Sequence, residues 1–260
     1  MKIGFIGTGK ISAAVVEGLC RSRLEGLSIR VSPRNERTSA ELARSHAAVR
    51  RCGDNQQVLD ESDIVCLAVR PKDARRVLRE LVFREDHRVV SFVTFLPLED
   101  LASEAAPARN ACRAIPLPTV AHRRCPIPLL NADDRVLEMF EAIGQPLRVE
   151  DEEQLHVLWA LTGLISPLYD LLGQWSGWST ARGVGPDLTN RYVAEMVEAL
   201  AFAARQQSPV RFDHLSEHAA TPGGMNEQAA REIADSGSHA AWPEVLDHLL
   251  ARFSEAEGAS

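Results

Sequence analysis

The stretch Ile3-Gly4-Phe5-Ile6-Gly7-Thr8-Gly9-Lys10-Ile11-Ser12 joins a short apolar strand, a glycine-rich loop and the start of a helix. The loop has the pattern G-x-G-x-x-S. The first glycine permits a tight turn, the second lets a pyrophosphate approach the backbone, and a small third residue lets helix and strand pack closely. The N–H groups of the helix N-terminus then favour phosphate. The pattern predicts a dinucleotide site formed by Gly7, Thr8, Gly9, Lys10, Ile11 and Ser12.

Further strands and helices alternate after this loop. Apolar runs of strand length occur at 27–31, 63–69, 88–95 and 111–115, and helical patterns occur between them at 11–19, 38–46 and 74–81. The strands lack in-and-out alternation, which is typical of a parallel sheet covered by helices on both faces. We therefore expect an α/β, Rossmann-type doubly wound sheet in residues 1–150, with its ligand crevice at the carboxyl ends of the strands.

The pattern changes beyond residue 150. From there the sequence shows only helical patterns, at roughly 152–164, 167–180, 186–207, 212–219, 224–236 and 242–253. Pro167 and Pro186 stand where a helix can begin, because the first helical residue needs no N–H donor. The prediction is an all-α C-terminal domain in residues 151–260.

Composition and charge exclude several classes of protein. Of the 260 residues, 45% are hydrophobic and 25% are charged, so fibrous and disordered chains are excluded. The net charge is −7, and the acidic excess lies in the helical part. An acidic surface argues against nucleic acid as a partner, whereas the slightly basic first part suits an anionic small molecule.

The sequence also carries information about location. No apolar run approaches the roughly 20 residues needed to cross a bilayer, and the N-terminus shows no signal-peptide pattern. The five cysteines are odd in number and form no C-x-x-C pair. These features predict a cytoplasmic protein with reduced thiols, without a membrane partner, a disulfide or a metal site.

The end of the second strand indicates which dinucleotide binds. NAD sites place an acidic residue there to hold the ribose 2′-hydroxyl, but here the chain reads Ser32-Pro33-Arg34-Asn35. Arg34 can pair with a 2′-phosphate, and no carboxylate is placed to repel it. The sequence therefore favours NADP(H), with Ser32, Arg34 and Asn35 in the site. Arg30 and Arg37 remain alternative partners of the phosphate.

Four stretches together resemble the pyrroline-5-carboxylate reductase family. They are residues 3–11, Leu67-Ala68-Val69-Arg70-Pro71, Arg113-Ala114-Ile115-Pro116 and Thr221-Pro222-Gly223-Gly224. The resemblance implies an oxidoreductase of proline biosynthesis that transfers hydride from NADPH or NADH to the C=N bond of a cyclic imino acid. It also implies a homodimer formed through the helical domain, in some members assembled into decamers.

The same resemblance implies roles for further residues. Asn55 would lie over the cofactor's ribose, and the floor beneath the cofactor would be Ala68, Val69, Arg70 and Pro71. The substrate would meet the late turn, which would face the partner subunit's cofactor. This turn and the residues after it are Thr221, Gly223, Gly224, Met225 and Asn226.

The sequence departs from the family on the substrate side. The family's turn continues Pro-Gly-Gly-Thr-Thr, and Met225-Asn226 stands in place of the two threonines. Where the family has a glycine- and serine-rich stretch, this sequence has Gly163–Tyr169. Where the family has an asparagine after the Arg-Ala-Ile-Pro stretch, this sequence has Leu117. We take Asn226 and Tyr169 as candidate catalytic residues. The alternative interpretations are a polar residue at a helix start for Asn226 and a tyrosine on a helix face in the wall between the domains for Tyr169.

Other functions remain to be weighed. A 3-hydroxyacid dehydrogenase needs a lysine after the domain boundary, and no lysine follows Lys72. A hydrolase would need a G-x-S-x-G elbow, which is missing. His214 and His218 are the best-spaced metal pair, but no third ligand lies nearby in sequence. Two alternatives stay open: another NADP-linked reductase with a different substrate, and a dinucleotide-binding protein without catalysis.

Overall fold

A computed structural model describes residues 1–258 of the chain. The contacts divide the chain into two units, with residues 1–159 in the first and residues 160–255 in the second. Among the described residues of the first unit, eight strands are found: β1 (Lys2–Ile6), β2 (Ser28–Val31), β3 (Val49–Arg51), β4 (Ile64–Leu67), β5 (Arg88–Ser91), β6 (Asn110–Ala114), β7 (Pro126–Leu130) and β8 (Gln145–Val149).

Helices connect these strands. They are α1 (Lys10–Cys20), α2 (Glu36–Ser45), α3 (Asn55–Asp60), α4 (Pro71–Arg79), α5 (Leu98–Glu104), α6 (Asp134–Glu141) and α7 (Glu152–Leu161), with a short 3-10 helix at Pro118–His122. The division between the units falls within α7, whereas the sequence predicts a boundary at its start. Whether the two units act as separate functional domains stays a prediction.

The strands form one sheet in the order β3-β2-β1-β4-β5-β6-β7-β8. The order reverses between β1 and β4, which is the switch point where doubly wound sheets bind ligands. This confirms the expected fold class. The five strands that the sequence predicts pair in parallel, whereas β7, which it does not predict, runs antiparallel to β6, and β8 runs parallel to β7.

The core lies on both faces of the sheet, as the lack of alternation in the strands predicts. Ile3 and Phe5 of β1 pack in one apolar cluster with Val15 and Leu19 of α1. Ile6 belongs to a second cluster that contains Val58 and Leu59 of α3, among other residues. Because both faces of β1 are covered, the strand is fixed in place. The glycine loop follows its carboxyl end and is therefore held at the carboxyl ends of the strands.

Several elements differ from the sequence-based expectation. The strand expected over 88–95 ends at Ser91, and Phe95 follows in a left-handed backbone conformation with φ of 63°. Strands β3, β7 and β8 were not expected. β3 has three residues, and β7 contains Pro126 and Pro128, which lack the N–H donor that a strand pattern requires.

The regular elements among the described residues of the second unit are all helices, as predicted. It contains α8 (Ile165–Thr180), α9 (Pro186–Arg205), α10 (Phe212–Ala219), α11 (Met225–Asp235) and α12 (Ala241–Gly258), with short 3-10 helices at Thr162–Leu164 and Ser238–Ala240. The helical stretch Glu152–Thr180 is long and apolar enough to cross a membrane by length and composition alone. This differs from the expectation that no stretch qualifies.

Large apolar side chains are exposed in this second unit. They lie mainly on α8 and α9, and Trp178 and Tyr192 are 62% and 67% exposed. An apolar groove of about 1050 Å³ lies between α8, α9 and α11, with Trp175, Trp178, Leu188, Tyr192 and Ile233 among its lining residues. Contiguous apolar surface of this kind marks an interaction site more often than plain solvent-facing surface.

Candidate active site

The two glycines of the loop are glycine for different structural reasons. Gly7 has a φ of +94°, and a Cβ built there would lie 2.5 Å from the carbonyl oxygen of Ala68. Gly9 has an ordinary φ of −81°, and a Cβ at this position would meet nothing within 4 Å. The fold therefore requires glycine at position 7 but not at position 9. At position 9, the small residue keeps open the space beside the N-terminus of α1, as phosphate binding requires.

Hydrogen bonds hold the loop in this shape. The Gly7 N–H donates to the Ser32 hydroxyl at 2.9 Å, and the Ser12 hydroxyl donates to the Gly7 carbonyl at 2.5 Å. The side-chain amide of Asn35 donates to the Thr8 carbonyl at 2.9 Å. Ser12 and Ser32 are buried. The structure thus brings these predicted residues together and uses their polar groups to shape the loop, while direct contact with a cofactor stays a prediction.

The loop after β2 presents Arg34 to solvent. Its side chain is 63% exposed, and Nη1 lies 3.8 Å from Oδ2 of Asp73. The alternative Arg30 is engaged elsewhere, because its Nε donates to Oε2 of Glu61 at 2.6 Å. This hydrogen bond is the main reason why the pKa of Glu61 falls to about 2. Arg34 and the exposed Arg37 on α2 therefore remain as partners for a 2′-phosphate.

The predicted floor lies at the carboxyl end of β4. Ala68 follows this strand, and its N–H donates to the Ile6 carbonyl at 2.8 Å, which joins the floor to the end of β1. Val69 is half-buried, and its Cγ1 lies 3.1 Å from a Cβ built at Gly7. Arg70 is exposed and precedes Pro71, the first residue of α4. Asn55 is the half-buried first residue of α3, which Asp54 caps.

These residues fit a dinucleotide. The glycine loop and the predicted floor follow neighbouring strands on either side of the switch point. The open position at Gly9 faces the N-terminus of a helix, where N–H groups favour phosphate. The end of β2 carries an arginine and no carboxylate before Glu36, so it suits a phosphate better than a bare 2′-hydroxyl.

A buried arginine is the main feature that the sequence reading missed. Arg113 on β6 is fully buried and pairs with Glu152 at the start of α7. Its guanidinium also lies 3.2 Å from Nε2 of His156 and 5.0 Å from the ring centre of Trp159. Nη2 donates to the Val93 carbonyl at 3.4 Å, in the loop that follows β5. The signal for it in the sequence is the Arg113-Ala114-Ile115-Pro116 stretch. The stretch contributes to the family resemblance, but the sequence alone assigns no role to its arginine.

The predicted substrate turn lies in the second unit. Thr221–Gly224 closes with a hydrogen bond of 2.8 Å from the Gly224 N–H to the Thr221 carbonyl. Pro222 and Gly223, with a φ of 72° at Gly223, have the signature of a type II turn. Gly224 then caps α11, whose first residue, Met225, is 86% exposed.

The candidate catalytic residues have different surroundings. Asn226 lies in the first turn of α11, and its Nδ2 donates to the Ala219 carbonyl at 3.0 Å. This bond shows a role in fixing the turn and leaves Oδ1 of the amide for other contacts. Tyr169 is 67% exposed on α8. A catalytic role for either side chain stays a prediction.

The histidine pair on α10 belongs to no larger metal-binding group. The rings of His214 and His218 lie 3.9 Å apart, and Nδ1 of His218 lies 3.0 Å from the His214 carbonyl. Within residues 1–258, no three His, Cys, Asp or Glu side chains converge as a metal site would need.

Comparison with known proteins extends the likeness over nearly the whole chain. Residues 2–94 match the family described as NADP oxidoreductase, coenzyme F420-dependent. A pyrroline-5-carboxylate reductase from Corynebacterium melassecola is 26% identical over 257 residues, which cover 92% of this chain and 93% of that protein. The resemblance to pyrroline-5-carboxylate reductases that the motifs indicate is therefore confirmed.

Solved structures agree on the fold. A pyrroline carboxylate reductase from Plasmodium falciparum, solved with NADP bound, matches with a TM-score of 0.83 at 14% identity, covering 98% of each chain. An imine reductase from Pseudomonas sp. matches with a TM-score of 0.60 at 12% identity, covering 99% of this chain and 94% of that one. A Rossmann-type sheet followed by a helical domain is thus a fold shared with reductases of C=N bonds.

Proposed function

We propose that this chain is an NADP(H)-dependent reductase that acts on the C=N bond of a cyclic imino acid, with pyrroline-5-carboxylate as the first substrate to test. The observation that carries the proposal is the open position at Gly9, beside the N-terminus of α1. Its setting is a chain similar over more than nine-tenths of its length to a pyrroline-5-carboxylate reductase. The reaction belongs to the CH–NH class of oxidoreductases and would serve proline biosynthesis.

The chemistry makes modest demands on the protein. Bound NADPH supplies a hydride to the imine carbon. A protonated C=N bond is already electrophilic, so orientation matters more than a strong acid or base. This agrees with a site that contains a rigid loop, a shaped floor and no lysine beyond Lys72. The polar groups of the loop are fixed in advance, which lowers the entropy cost of holding the cofactor.

The substrate side is proposed to centre on the Thr221–Gly224 turn. The first N–H groups of α11 have no partner within the helix, and the helix N-terminus favours a carboxylate. Asn226 is the candidate for a side-chain contact to the substrate, through its Oδ1 or after release of Ala219. Tyr169 is the second candidate, as a proton donor.

A second candidate function is reduction of a different imine. It is favoured by Met225, which is 86% exposed. This residue stands where the pyrroline-5-carboxylate reductases that the chain resembles carry a threonine. A thioether offers an apolar contact instead of a hydroxyl, so a less polar imine would suit this position. A dinucleotide-binding protein without catalysis would bear the same substitution, and turnover measurements separate the two.

We propose that a second copy of the chain covers the exposed apolar face of the helical unit. The apolar residues continue onto α9, which also carries Asp187, Arg191, Glu195 and Glu198, and such charges suit a protein interface better than a lipid phase. The stretch Glu152–Thr180 would then be apolar because it forms this interface. The helical unit would thus make the homodimer, with higher assembly as a further step.

The proposed location is the cytoplasm. All five cysteines are free thiols, and Cys52, Cys66, Cys112 and Cys125 are buried, so the fold uses them as small apolar side chains. Burial raises the pKa of the Cys66 and Cys112 thiols far above their usual value, which keeps them protonated and unreactive. Such thiols suit a reducing compartment.

The test of activity is NADPH oxidation by the purified protein with pyrroline-5-carboxylate, repeated with NADH. We expect saturable turnover that prefers NADPH and is abolished in Gly9→Val. Binding of NADPH without turnover would move the proposal to other cyclic imines, to be screened with the same assay. Failure of NADPH to bind would refute the proposed function.

The dimer is tested by light scattering during gel filtration. Trp178→Glu places a charge in the apolar groove and should yield a monomer, whereas Val82→Glu alters a residue that is 75% exposed in the first unit and should not. A wild-type protein that elutes as a monomer at micromolar concentration would contradict the proposal.

A further inference from the structure

Arg34 reaches across the end of β1. It follows β2, whereas Asp73 lies in the first turn of α4, which follows β4. In the sheet, β2 and β4 are the two neighbours of β1 and so lie about 9–10 Å apart. The contact between Nη1 of Arg34 and Oδ2 of Asp73, at 3.8 Å, therefore crosses the carboxyl end of β1, where the glycine loop begins.

Asp73 holds more than one arginine. Oδ2 accepts a hydrogen bond from Nε of Arg70 at 3.0 Å, and Oδ1 accepts one from Nη2 of Arg76 at 3.4 Å. The Asp73 side chain is only 14% exposed, whereas that of Arg34 is 63% exposed. The hydrogen bond from Arg70, with the charges around it, lowers the pKa of Asp73, so the carboxylate is ionised at neutral pH.

Arg34 is the arginine most easily released from this group. Its contact with Asp73 is the longest of the three, and it alone comes from outside the Arg70–Arg76 segment. If Arg34 moves away, Asp73 keeps both of its other partners, so no unpaired charge is left behind. The ion pair is exposed on the arginine side, where such pairs contribute little to stability.

We propose that Asp73 is a specificity-determining residue for the cofactor: it holds Arg34 across the carboxyl end of β1, and Arg34 exchanges this carboxylate for the 2′-phosphate when NADPH binds. The inference rests on the proposed function, because it assumes that NADPH binds at the glycine loop. A phosphate dianion attracts the guanidinium more strongly than a carboxylate already shared by two other arginines. Asp73 therefore competes with the phosphate and lowers the affinity for NADPH, while NADH, without the phosphate, leaves the pair in place.

The test is a double-mutant cycle with Asp73→Asn and Arg34→Ala, in which the fluorescence of the reduced nicotinamide reports binding of NADPH and NADH. Loss of the competing exposed pair in Asp73→Asn should tighten NADPH binding about two- to fivefold. NADH affinity should not change. In the Arg34→Ala background, Asp73→Asn should have no effect on NADPH, because Arg34 is no longer there to be exchanged between Asp73 and the phosphate.

A matched control removes a different carboxylate, that of Glu80, the residue that follows the last residue of α4. Glu80 accepts a hydrogen bond from Arg76 at 2.8 Å, and the contacts of the structure link it to Arg76 and not to Arg34. Glu80→Gln should leave both affinities unchanged. Circular dichroism at the temperatures of the binding assay verifies that each variant is folded.

Two results would overturn the inference while the proposed function stands. One is NADPH affinity that is unchanged or weaker in Asp73→Asn. The other is an equal gain with and without Arg34, since that would be a general effect of negative charge. Wild-type protein that fails to bind NADPH refutes the proposed function itself, and adenosine 2′,5′-bisphosphate measured against 5′-AMP by calorimetry then tells whether any phosphate-selective site exists.

Discussion

Arg113 on β6 and Glu152 on α7 form an ion pair in which the arginine side chain is fully buried. The other carboxylate oxygen of Glu152 accepts the Leu98 N–H at 2.5 Å, at the start of α5. One carboxylate therefore joins β6, α5 and α7, and Arg113 adds the loop after β5 through Val93. This loop begins at the carboxyl end of β5, the strand next to β4 in the sheet.

We expect Glu152→Gln to destabilise the protein by about 2–4 kcal/mol, because it removes the carboxylate charge that pairs with a fully buried guanidinium. Urea unfolding at pH 7 measures the loss. Glu153→Gln is the matched control, since it changes the exposed neighbouring residue on the same helix and should cost less than about 0.5 kcal/mol. Equal losses in the two variants would contradict the structural role of the pair.

The same pair predicts a pH dependence. Burial raises the pKa of Glu152, but the hydrogen bond from His156 and the charge of Arg113 outweigh it, so the net pKa lies below the usual 4.5. The unfolded chain then takes up the proton first, and the stabilisation is complete above about pH 4.5 and is lost as the pH falls through the lowered pKa. The difference in unfolding free energy between wild type and Glu152→Gln should shrink as the pH falls from 7 to 3. A constant difference would refute this.

Arg34→Asp should weaken NADPH binding by about 10- to 100-fold, because a charge-assisted contact to the 2′-phosphate becomes a repulsion. NADH affinity should change by less than about threefold, since Arg34 has no phosphate to meet. Fluorescence titration with each cofactor gives both values. Arg37→Asp makes the same change of charge on α2, and a larger effect there would assign the phosphate to Arg37.

Gly9→Val should abolish NADPH binding and leave the fold intact. The backbone at position 9 has an ordinary φ and a Cβ there meets no atom within 4 Å, so the main cost is the loss of glycine at the N-cap of α1, which we expect to be about 1 kcal/mol of unfolding free energy. Gly7→Ala is the contrasting variant. Its positive φ and the 2.5 Å approach to Ala68 should cost about 1–3 kcal/mol of stability.

Thermal melts and NADPH titration on both variants test this pair of expectations. If Gly9→Val binds NADPH like wild type, the loop does not contact the pyrophosphate. If Gly7→Ala melts like wild type, the tight approach between Gly7 and Ala68 does not constrain the loop.

Met225→Thr should raise kcat/KM for pyrroline-5-carboxylate by about 2- to 10-fold, because a hydroxyl at the start of α11 adds one hydrogen bond to the substrate. The affinity for NADPH should stay the same. Met225→Leu keeps an apolar side chain and should leave kcat/KM unchanged. Lower activity in Met225→Thr would favour the second candidate function, in which the thioether contacts a less polar imine.

The parts of the fold that sequence reasoning predicted are those where several signals coincide. β1, the glycine loop and α1 were found together, because an apolar strand, two glycines and a helical pattern follow one another without a break. The sequence does not predict β7 and β8, the last two strands in the order of the sheet. β7 contains two prolines, and β8 is mostly exposed and contains Pro146, so neither shows a strand pattern until tertiary pairing supplies one.

Within the candidate site, the sequence predicted which residues come together more reliably than what they do. Ser32 and Asn35 were expected near the cofactor, and the structure shows that their side chains bond to the loop backbone. Arg113, Glu152 and Asp73 had no role, because an ion pair between distant residues leaves no periodic trace in one sequence. Such contacts are set by topology, which brings together residues that are far apart in the sequence, as with Arg113 and Glu152, which are separated by 39 positions.

The apolar helices of the second unit have a consequence for handling the protein. If a second copy covers Trp178 and Tyr192, the stability of the folded chain depends on the protein concentration. The melting temperature should then rise as the protein is concentrated. Dilution would expose this surface and favour sticking to vessel walls or to other unfolded chains. Assays at nanomolar enzyme would then report the dissociation of the dimer together with the chemistry, and activity per chain would fall on dilution.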